Sequence, residues 1–226
     1  MSLAQRGRRI TLVGLVLLAG VYVRALAYTP MERFQGPAQK IFYLHVPAAW
    51  SAMLAMGLVG LSSVLYLLLR DARFDRFAAA SAEVGTTFSL VMLTTGPIWA
   101  KPIWGTWWTW DARLTLTLFL FFLFLGYLLL RSAVAEPGLR ARYSAVLGIC
   151  GLVLLPFIHL SVYLFRTLHP QPIVLKPSSP SLPGDMLITL LLSFAVFTVL
   201  YVGFVTQRYA LSLEREAQGS GDVGRA

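Results

Sequence analysis

The sequence predicts an all-α membrane protein, a bundle of six transmembrane helices. Of its 226 residues, 57% are hydrophobic and only 13% are charged, and the mean hydropathy is +0.70. A typical soluble domain is about a quarter charged. Several stretches also run for about 17 residues or more without a charge, which is the length needed to cross the hydrocarbon core. We therefore expect one helical bundle and no separate soluble domain.

The individual helices follow from apolar runs separated by polar or basic segments. The predicted helices cover, in chain order, about residues 10–28, 48–69, 77–99, 114–130, 143–165 and 186–206. We interpret the first as retained rather than as a cleaved signal, because no small-residue cleavage site follows Leu18. Beyond residue 207 the chain is polar and contains glycine, so we expect a frayed tail. The predicted organisation is a transmembrane domain over residues 1–207 and a polar cytoplasmic tail over residues 208–226.

The connections between the helices alternate in character. Short basic turns lie at residues 70–76 and 131–142, whereas longer connections lie at residues 29–47, 100–113 and 166–185. Six spans place both termini on one side, together with twelve of the nineteen lysines and arginines. The positive-inside rule then puts both termini in the cytoplasm and the three longer connections outside. We expect function at the outer face, because longer loops more often carry it.

Charge and cysteine content exclude several classes of function. The formal net charge is +9, but the basic residues lie in short clusters beside apolar runs, as topology signals do, and do not indicate nucleic-acid binding. Cys150 is the only cysteine of the sequence, so no intrachain disulfide and no paired-cysteine redox or metal site can form. We expect Cys150 to be a small buried hydrophobic residue.

Tryptophan is concentrated between the third and fourth predicted helices. Five of the six tryptophans fall within twelve residues, at Trp99, Trp104, Trp107, Trp108 and Trp110. Aromatic belts at membrane interfaces also use tryptophan, but a belt spreads its residues over every helix end. Clustered indoles form a broad, polarizable surface with N–H donors at its edges. We favour an outward-facing binding surface for a large planar ligand over a belt.

Two histidines lie at predicted helix ends on the same outer side. His45 precedes the second helix and His169 follows the fifth. Two imidazoles can fill both axial positions of an iron porphyrin, although an interfacial histidine can also be a simple polar anchor. His159 lies within the fifth helix, three residues after Pro156, and could instead bind a backbone carbonyl freed by that proline. Paired ligands inside the bilayer are disfavoured, because only one histidine lies within a predicted span.

Charged residues next to the tryptophans complete the candidate site. Asp111 could cap the fourth helix, and Arg113 could pair with Asp111 or with a carboxylate of a ligand. Haem fits these parts, since its macrocycle would stack on indoles and its iron would bind imidazole. Its propionates need cations, and four that the sequence does not rank lie on the outer side: Arg113, Lys101, Arg33 and Lys40.

Glu83 is an ionizable residue within the third predicted helix. Ionizable groups in a membrane are costly and are often functional. Glu83 lies only about two turns from the cytoplasmic end, so pairing with Arg76 or Arg73 is the alternative.

The segment from Trp104 to Thr115, WGTWWTWDARLT, resembles the signature of the haem-handling "WWD" membrane proteins. The six-helix plan, the length and the motif His45-Val-Pro-Ala-Ala resemble one branch, the cytochrome c maturation protein C (CcmC) family. The likeness extends to Ser161-Val162 and to Thr167-Leu168-His169, and so covers nearly the whole chain except the two tails. The tryptophan signature is specific for the superfamily, and the length and histidine motifs select the branch.

The resemblance implies a protein of the bacterial cytoplasmic (inner) membrane that presents non-covalent, b-type haem at the outer face. It implies that His45 and His169 are the axial ligands of the iron. The haem-binding set would further comprise Trp104, Trp107, Trp108, Trp110, Asp111 and Arg113. Leu164 and Phe165 stand where the family usually has two tryptophans, and Pro170 follows the histidine, so we expect a pocket wall poorer in hydrogen-bond donors there.

The resemblance also implies partners and a function. Haem would pass to the periplasmic, membrane-anchored chaperone CcmE, with the ABC-type subunits CcmA and CcmB and the small protein CcmD assisting, for cytochrome c biogenesis. This is haem transfer rather than conventional catalysis. One alternative is a haem permease, which needs a wide polar path. The nearly uncharged helices 2, 4 and 6 argue against such a path, whereas Glu83 and His159 leave it open. The other is a cytochrome c synthase-like haem lyase, for which the chain is too short.

Overall fold

Six long helices account for most of the chain, whose computed structural model describes residues 1–174, 176 and 178–223. The helices are α1 (Leu3–Val23), α2 (Phe42–Leu69), α3 (Ala72–Trp104), α4 (Ala112–Ala133), α5 (Pro137–Leu164) and α6 (Gly184–Val223). A π-helical turn, Arg24–Tyr28, extends α1, and a 3-10 helix, Gly36–Ile41, leads into α2. All six are long and apolar enough to cross a membrane, and the described residues contain no strand. The prediction of an all-helical architecture with six helices able to span a membrane is confirmed for the described residues.

Polar side chains cap the starts of four helices. Ser2 and Gln5 form a capping box at α1, and Asp71 and Glu136 accept hydrogen bonds from first-turn N–H groups of α3 and α5. The Asp111 carboxylate accepts a hydrogen bond from the N–H of Leu114 at 3.0 Å, which confirms that it caps α4. Such caps satisfy N–H groups that have no partner within the helix.

The centre of the bundle is α2, which packs against α3, α5 and α6. Ala48, Ala52 and Ala55 are fully buried along α2. A Cβ added at Gly60 would lie 2.4 Å from Cβ of Leu152 in α5, so the two helices touch closely there. Small residues allow this close approach in membranes, where packing rather than the hydrophobic effect joins helices. The first helix packs mainly on α6, and α4 lies against α3 and α5.

Two helix ends differ from the sequence prediction in ways that affect the site. The helix α2 begins at Phe42, so the prediction that His45 lies in a loop before the second helix is wrong. The preceding 3-10 helix already fixes the chain direction, and Pro47 in the second turn removes only one backbone donor. The helix α3 continues past its predicted end at Trp99 as far as Trp104, so the connection that follows holds only the last three tryptophans of the cluster.

The expectation of a frayed tail is wrong over residues 208–223, which continue α6. The reason is a set of ion pairs between α6 and α3: Arg208 pairs with Glu83, and Glu216 pairs with Arg76 at 2.8 Å. Glu83 is therefore paired, as the alternative interpretation held, but with Arg208 rather than with Arg76 or Arg73. Residues 224–226 of the predicted tail lie outside the described residues.

The single cysteine also differs from its prediction. Cys150 is exposed on α5 rather than buried. It lies in an apolar groove between α4 and α5, beside Phe119, Phe122 and Val153. This groove is separate from the cavity described next.

Candidate functional site

A cavity of about 370 Å³ lies where the three longer connections meet the helices. Its lining includes Gln35 from the first connection, Trp107 from the second and Ile173 from the third, together with residues of all helices except α1. Typical ligand cavities fall between about 300 and 1,000 Å³ and are mostly apolar with a few polar groups. The three connections that the sequence places on one side therefore share one candidate binding site.

His45 reaches this cavity from the second turn of the proline-containing start of α2. Its Nδ1 lies 3.1 Å from Oγ1 of Thr95 on α3. The ring meets Trp99 edge to face, with 5.8 Å between the centroids. One imidazole nitrogen is thus occupied by the neighbouring helix, which leaves Nε2 for a ligand.

His169 reaches the same cavity from the connection after α5. The carbonyl of Pro170 can only accept, so Nδ1–H of His169 donates to it at 2.9 Å. The backbone N–H of His169 donates to Oγ1 of Thr167 at 3.0 Å. Burial, and then the nearby positive charge of Arg113, lower the pKa of His169 to about 4. The imidazole is therefore neutral near pH 7 with Nε2 unprotonated, which is the state that binds a metal.

The two predicted ligands are brought together. His45 and His169 line one cavity, although 124 positions separate them in the chain. The described residues contain no cluster of three or more histidine, cysteine or acidic side chains suited to a metal ion. Both imidazoles are therefore available to a ligand in the same cavity.

The tryptophans of the cluster divide into two groups. Trp104, Trp107 and Trp108 line the cavity, as does Trp99. The indole N–H of Trp108 is buried without a hydrogen-bond partner among the described residues, so a donor is available there. The structure does not bring Trp110 into the lining: its side chain is 76% exposed and meets Trp108 edge to face at 5.8 Å.

The two charged residues that follow the tryptophans also separate. Asp111 caps α4 and does not line the cavity, whereas Arg113, in the first turn of the helix, does. The Arg113 guanidinium donates from Nη1 to the carbonyl of Ile158 at 2.9 Å, which anchors α4 to α5. Its other donors remain for a ligand, since guanidinium has five N–H groups.

The structure separates the four candidate cations by whether they line the cavity. Arg113 is the one lysine or arginine among the described residues that lines the cavity. Nζ of Lys40 donates to the carbonyls of Ala25 and Thr29, at 2.7 and 2.5 Å, and fastens the π-helical turn. Nζ of Lys101 donates to the carbonyl of Gly105 at 2.9 Å and helps to end α3. Neither lysine lines the cavity, and neither does Arg33.

Sequence reasoning missed several lining residues. Trp50 and Met53 on α2, and Met92 on α3, face the cavity. The residues His45, Ala49 and Met53 recur at every fourth position, which is one face of a helix. That signal is visible only once α2 is known to begin before His45. His159 also lines the cavity, with its ring 6.3 Å from that of Tyr163.

These features define a class: a multi-pass membrane protein with an indole-walled cavity that is lined by three imidazoles and one guanidinium. Neutral imidazoles suit iron, aromatic rings suit a flat macrocycle, and a guanidinium suits carboxylates. An iron porphyrin with acidic substituents fits this set of residues.

The sequence matches the family model "Heme exporter protein C" (CcmC) over residues 2–221. It is 39% identical to Heme exporter protein C of Haemophilus influenzae over 202 residues, which cover 89% of this chain and 82% of that protein. It is 40% identical to Heme exporter protein C of Bradyrhizobium diazoefficiens over 188 residues, covering 83% and 71%. A putative cytochrome c biosynthesis ccmC-like mitochondrial protein of Marchantia polymorpha is 41% identical over 168 residues, covering 74% and 71%. The chain belongs to the CcmC family.

Proposed function

We propose that this protein holds haem as cargo at the outer face of the bacterial cytoplasmic membrane and passes it to the periplasmic chaperone CcmE during cytochrome c biogenesis. The observation that carries the proposal is that His45 and His169 line one cavity, each with Nδ1 engaged by a neighbouring oxygen. Relatives that bear the name Heme exporter protein C support haem as the cargo.

In this proposal the iron is bound by Nε2 of His45 and Nε2 of His169. Occupation of both axial positions limits reaction of the iron with oxygen. Trp104, Trp107 and Trp108 supply the aromatic wall, and Arg113 supplies the cation for a propionate. Asp111 contributes indirectly, because it fixes the start of the helix that carries Arg113. Trp110 supports Trp108 by ring contact rather than by lining the cavity.

Haem in this site is non-covalent and of the b type. Covalent attachment through a thioether bond requires a cysteine beside the porphyrin. Cys150 is the only cysteine in the sequence and lies in the groove between α4 and α5, outside the cavity lining. Reversible binding is what a carrier needs, because its cargo must leave.

The proposed orientation places both termini in the cytoplasm and the cavity on the periplasmic side. The positive-inside rule supports this, since twelve of nineteen basic residues lie on the side of the termini. Trp107 is 56% exposed although it lines the cavity, and Trp110 is 76% exposed beside it. Exposed aromatic side chains at a cavity mouth suit docking of CcmE. The subunits CcmA and CcmB and the small CcmD are the proposed assisting partners.

Absorption spectroscopy of the full-length protein, purified in detergent and loaded with haem, tests the ligand assignment. We expect a low-spin, six-coordinate spectrum in the oxidised and reduced states. The double variant His45→Ala, His169→Ala should lose that spectrum. The matched histidine control, His159→Ala, should keep that spectrum, since the imidazoles of His45 and His169 already occupy both axial positions of the iron. An unaltered spectrum in the double variant would show that other groups bind the iron.

The hand-off has its own test. Haem-loaded protein is mixed with purified apo-CcmE, the two are separated, and the haem on each is measured. We expect haem to move to the chaperone. Retention of all haem by the loaded protein, under conditions in which CcmE accepts free haem, would contradict the proposed transfer.

A further inference from the structure

Thr95 links α3 to the imidazole of His45. Its hydroxyl oxygen lies 2.6 Å from the backbone carbonyl of Val91 and 3.1 Å from Nδ1 of His45. A carbonyl of the same helix, that of Met92, lies 3.3 Å away. The hydroxyl thus sits between acceptor carbonyls of its own helix and a ring nitrogen of the next helix.

The position of one proton follows from these distances. A threonine hydroxyl has one proton to donate and lone pairs with which to accept. Two oxygens 2.6 Å apart require a proton between them, and the carbonyl of Val91 has none to give. The Thr95 proton is therefore directed to its own helix, and its oxygen accepts the bond from Nδ1–H of His45. Neutral histidine with a proton on Nδ1 has an unprotonated Nε2.

We propose that Thr95 is a positioning residue that fixes the tautomer and ring orientation of His45, so that Nε2 is presented to the cavity as a metal ligand. This inference rests on the proposed function, in which His45 binds the iron. Thr95 does not line the cavity and so acts through His45 alone.

Neighbours of Thr95 on α3 support the same ring position. A Cβ added at Gly96 would lie 3.1 Å from Cε1 of His45, so the imidazole rests directly against this glycine. Trp99, four residues after Thr95, meets the ring edge to face. Hydroxyl, glycine and indole thus contact the imidazole from one helix surface, which restricts both its rotation and its tilt.

The consequence for metal binding is measurable. Hydrogen-bond acceptors behind a histidine ligand orient the ring and raise its basicity, and their removal costs about 10- to 100-fold in metal affinity. A more basic ligand favours the ferric state. Loss of the acceptor should therefore weaken haem binding and raise the midpoint potential of the bound iron.

Three variants of the full-length protein test the inference by haem titration and by redox titration of the bound haem. Thr95→Val keeps the shape but removes the hydroxyl, and should weaken haem binding about 10- to 100-fold and raise the potential. Thr95→Ser restores the hydroxyl and should behave like the wild type. Thr94→Val is the matched control: Thr94 also donates to carbonyls of its own helix, those of Leu90 and Val91, at 2.9 and 3.0 Å, but has no bond to a histidine. It should leave both values unchanged.

The outcomes separate this inference from the proposed function. If His45→Ala removes the low-spin spectrum while Thr95→Val matches the wild type in affinity and potential, Thr95 does not position the ligand and only this inference fails. If His45→Ala leaves the spectrum unaltered, the proposed ligand is wrong and the inference fails with it. Equal losses in Thr95→Val and Thr94→Val would assign the effect to helix packing, which also overturns it.

A second variant covers the case in which Thr95→Val does not yield folded protein. Gly96→Ala keeps the hydroxyl and favours the helix, but its methyl group presses on Cε1 of His45. We expect weaker haem binding with normal yield of protein. Wild-type affinity and potential in this variant would show that the ring is not held by α3.

Discussion

The two imidazoles of the cavity are held in different ways. His45 belongs to a helix and is bonded to Thr95, which lies 50 positions away on another helix. His169 belongs to a connection, and its bonds to Thr167 and Pro170 join residues no more than two positions apart. The hydrogen bond of the first imidazole thus depends on the tertiary packing of the bundle, and those of His169 depend on the local conformation of its own segment.

This difference suggests how haem can be both held and released. A movement of the connection that carries His169 would leave the packing of α2 on α3 intact, whereas His45 is held by a hydrogen bond and a ring contact across that packing. We expect the His169 bond to be the first to break when the chaperone takes the cargo. In the proposed function, the fold then provides one fixed ligand and one that can be withdrawn.

The largest effect should come from removing each imidazole in turn. Either His45→Ala or His169→Ala should abolish six-coordinate ligation. Added imidazole should restore the spectrum at a lower concentration in His45→Ala, because Thr95, Gly96 and Trp99 leave a preformed slot with a hydrogen-bond acceptor. Absorption titration with imidazole measures this order, and a reversed order would contradict the proposed contrast.

The next effect concerns the single cation of the lining. Arg113→Gln should weaken binding of haem about 10- to 100-fold, which corresponds to roughly 1.5–3 kcal/mol for a hydrogen bond to a charged group. It should change binding of haem dimethyl ester much less, because the ester carries no carboxylate. The matched control is Lys101→Gln, whose side chain bonds to Gly105 outside the lining. Equal losses for haem and its ester would place the propionates elsewhere.

A smaller effect is expected at the tryptophan with the unpartnered donor. Trp108→Phe removes a buried N–H that has no partner among the described residues. A buried polar group without a partner costs the folded protein about 1–3 kcal/mol. Because Trp108→Phe removes such a group, the haem-free variant should not be less thermally stable than the wild type. Haem affinity should still fall about ten-fold, and Trp110→Phe should have less effect because its ring is 76% exposed. Thermal denaturation and haem titration together check this, and a destabilised haem-free Trp108→Phe protein would argue against it.

The smallest effect should be at the hydroxyl that supports His169. Thr167→Val removes the hydroxyl that accepts a hydrogen bond from the backbone N–H of His169. Such a bond contributes about 0.5–1.5 kcal/mol, which corresponds to about a two- to ten-fold change in the rate of haem dissociation. Because His169 is the ligand proposed to leave first, haem should dissociate faster. Stopped-flow transfer to apomyoglobin measures this rate, and Thr167→Ser should restore it. If haem dissociated more slowly than from the wild type, His169 would not be the ligand that leaves first.

The sequence predicted the fold well because the signals are local. Apolar runs of sufficient length determine six helices, and Asp111 caps α4 as expected. The helix ends were less predictable, because their signals compete. The second helix was predicted to begin at residue 48, but the 3-10 helix before Phe42 leads directly into α2 six residues earlier. The polar composition beyond residue 207 suggested fraying, but pairing of Arg208 with Glu83 on α3 continues the helix.

The site was predictable only in its unusual residues. His45, His169, three tryptophans and Arg113 stand out by type, and the structure places them around one cavity. Thr95 could not be found in this way, since threonines are common in these helices and its role depends on the rotation of α3 against α2. The ranking of cations likewise depends on which carbonyls lie near Lys40 and Lys101, and no sequence pattern encodes those contacts.

Electron paramagnetic resonance of the ferric, haem-loaded wild-type protein tests the central claim most directly. If His45 and His169 bind one iron from opposite sides, the spectrum will be that of low-spin iron with two neutral imidazole ligands. A high-spin signal, which indicates an open axial position, or a protein that binds no haem at all, would contradict the account.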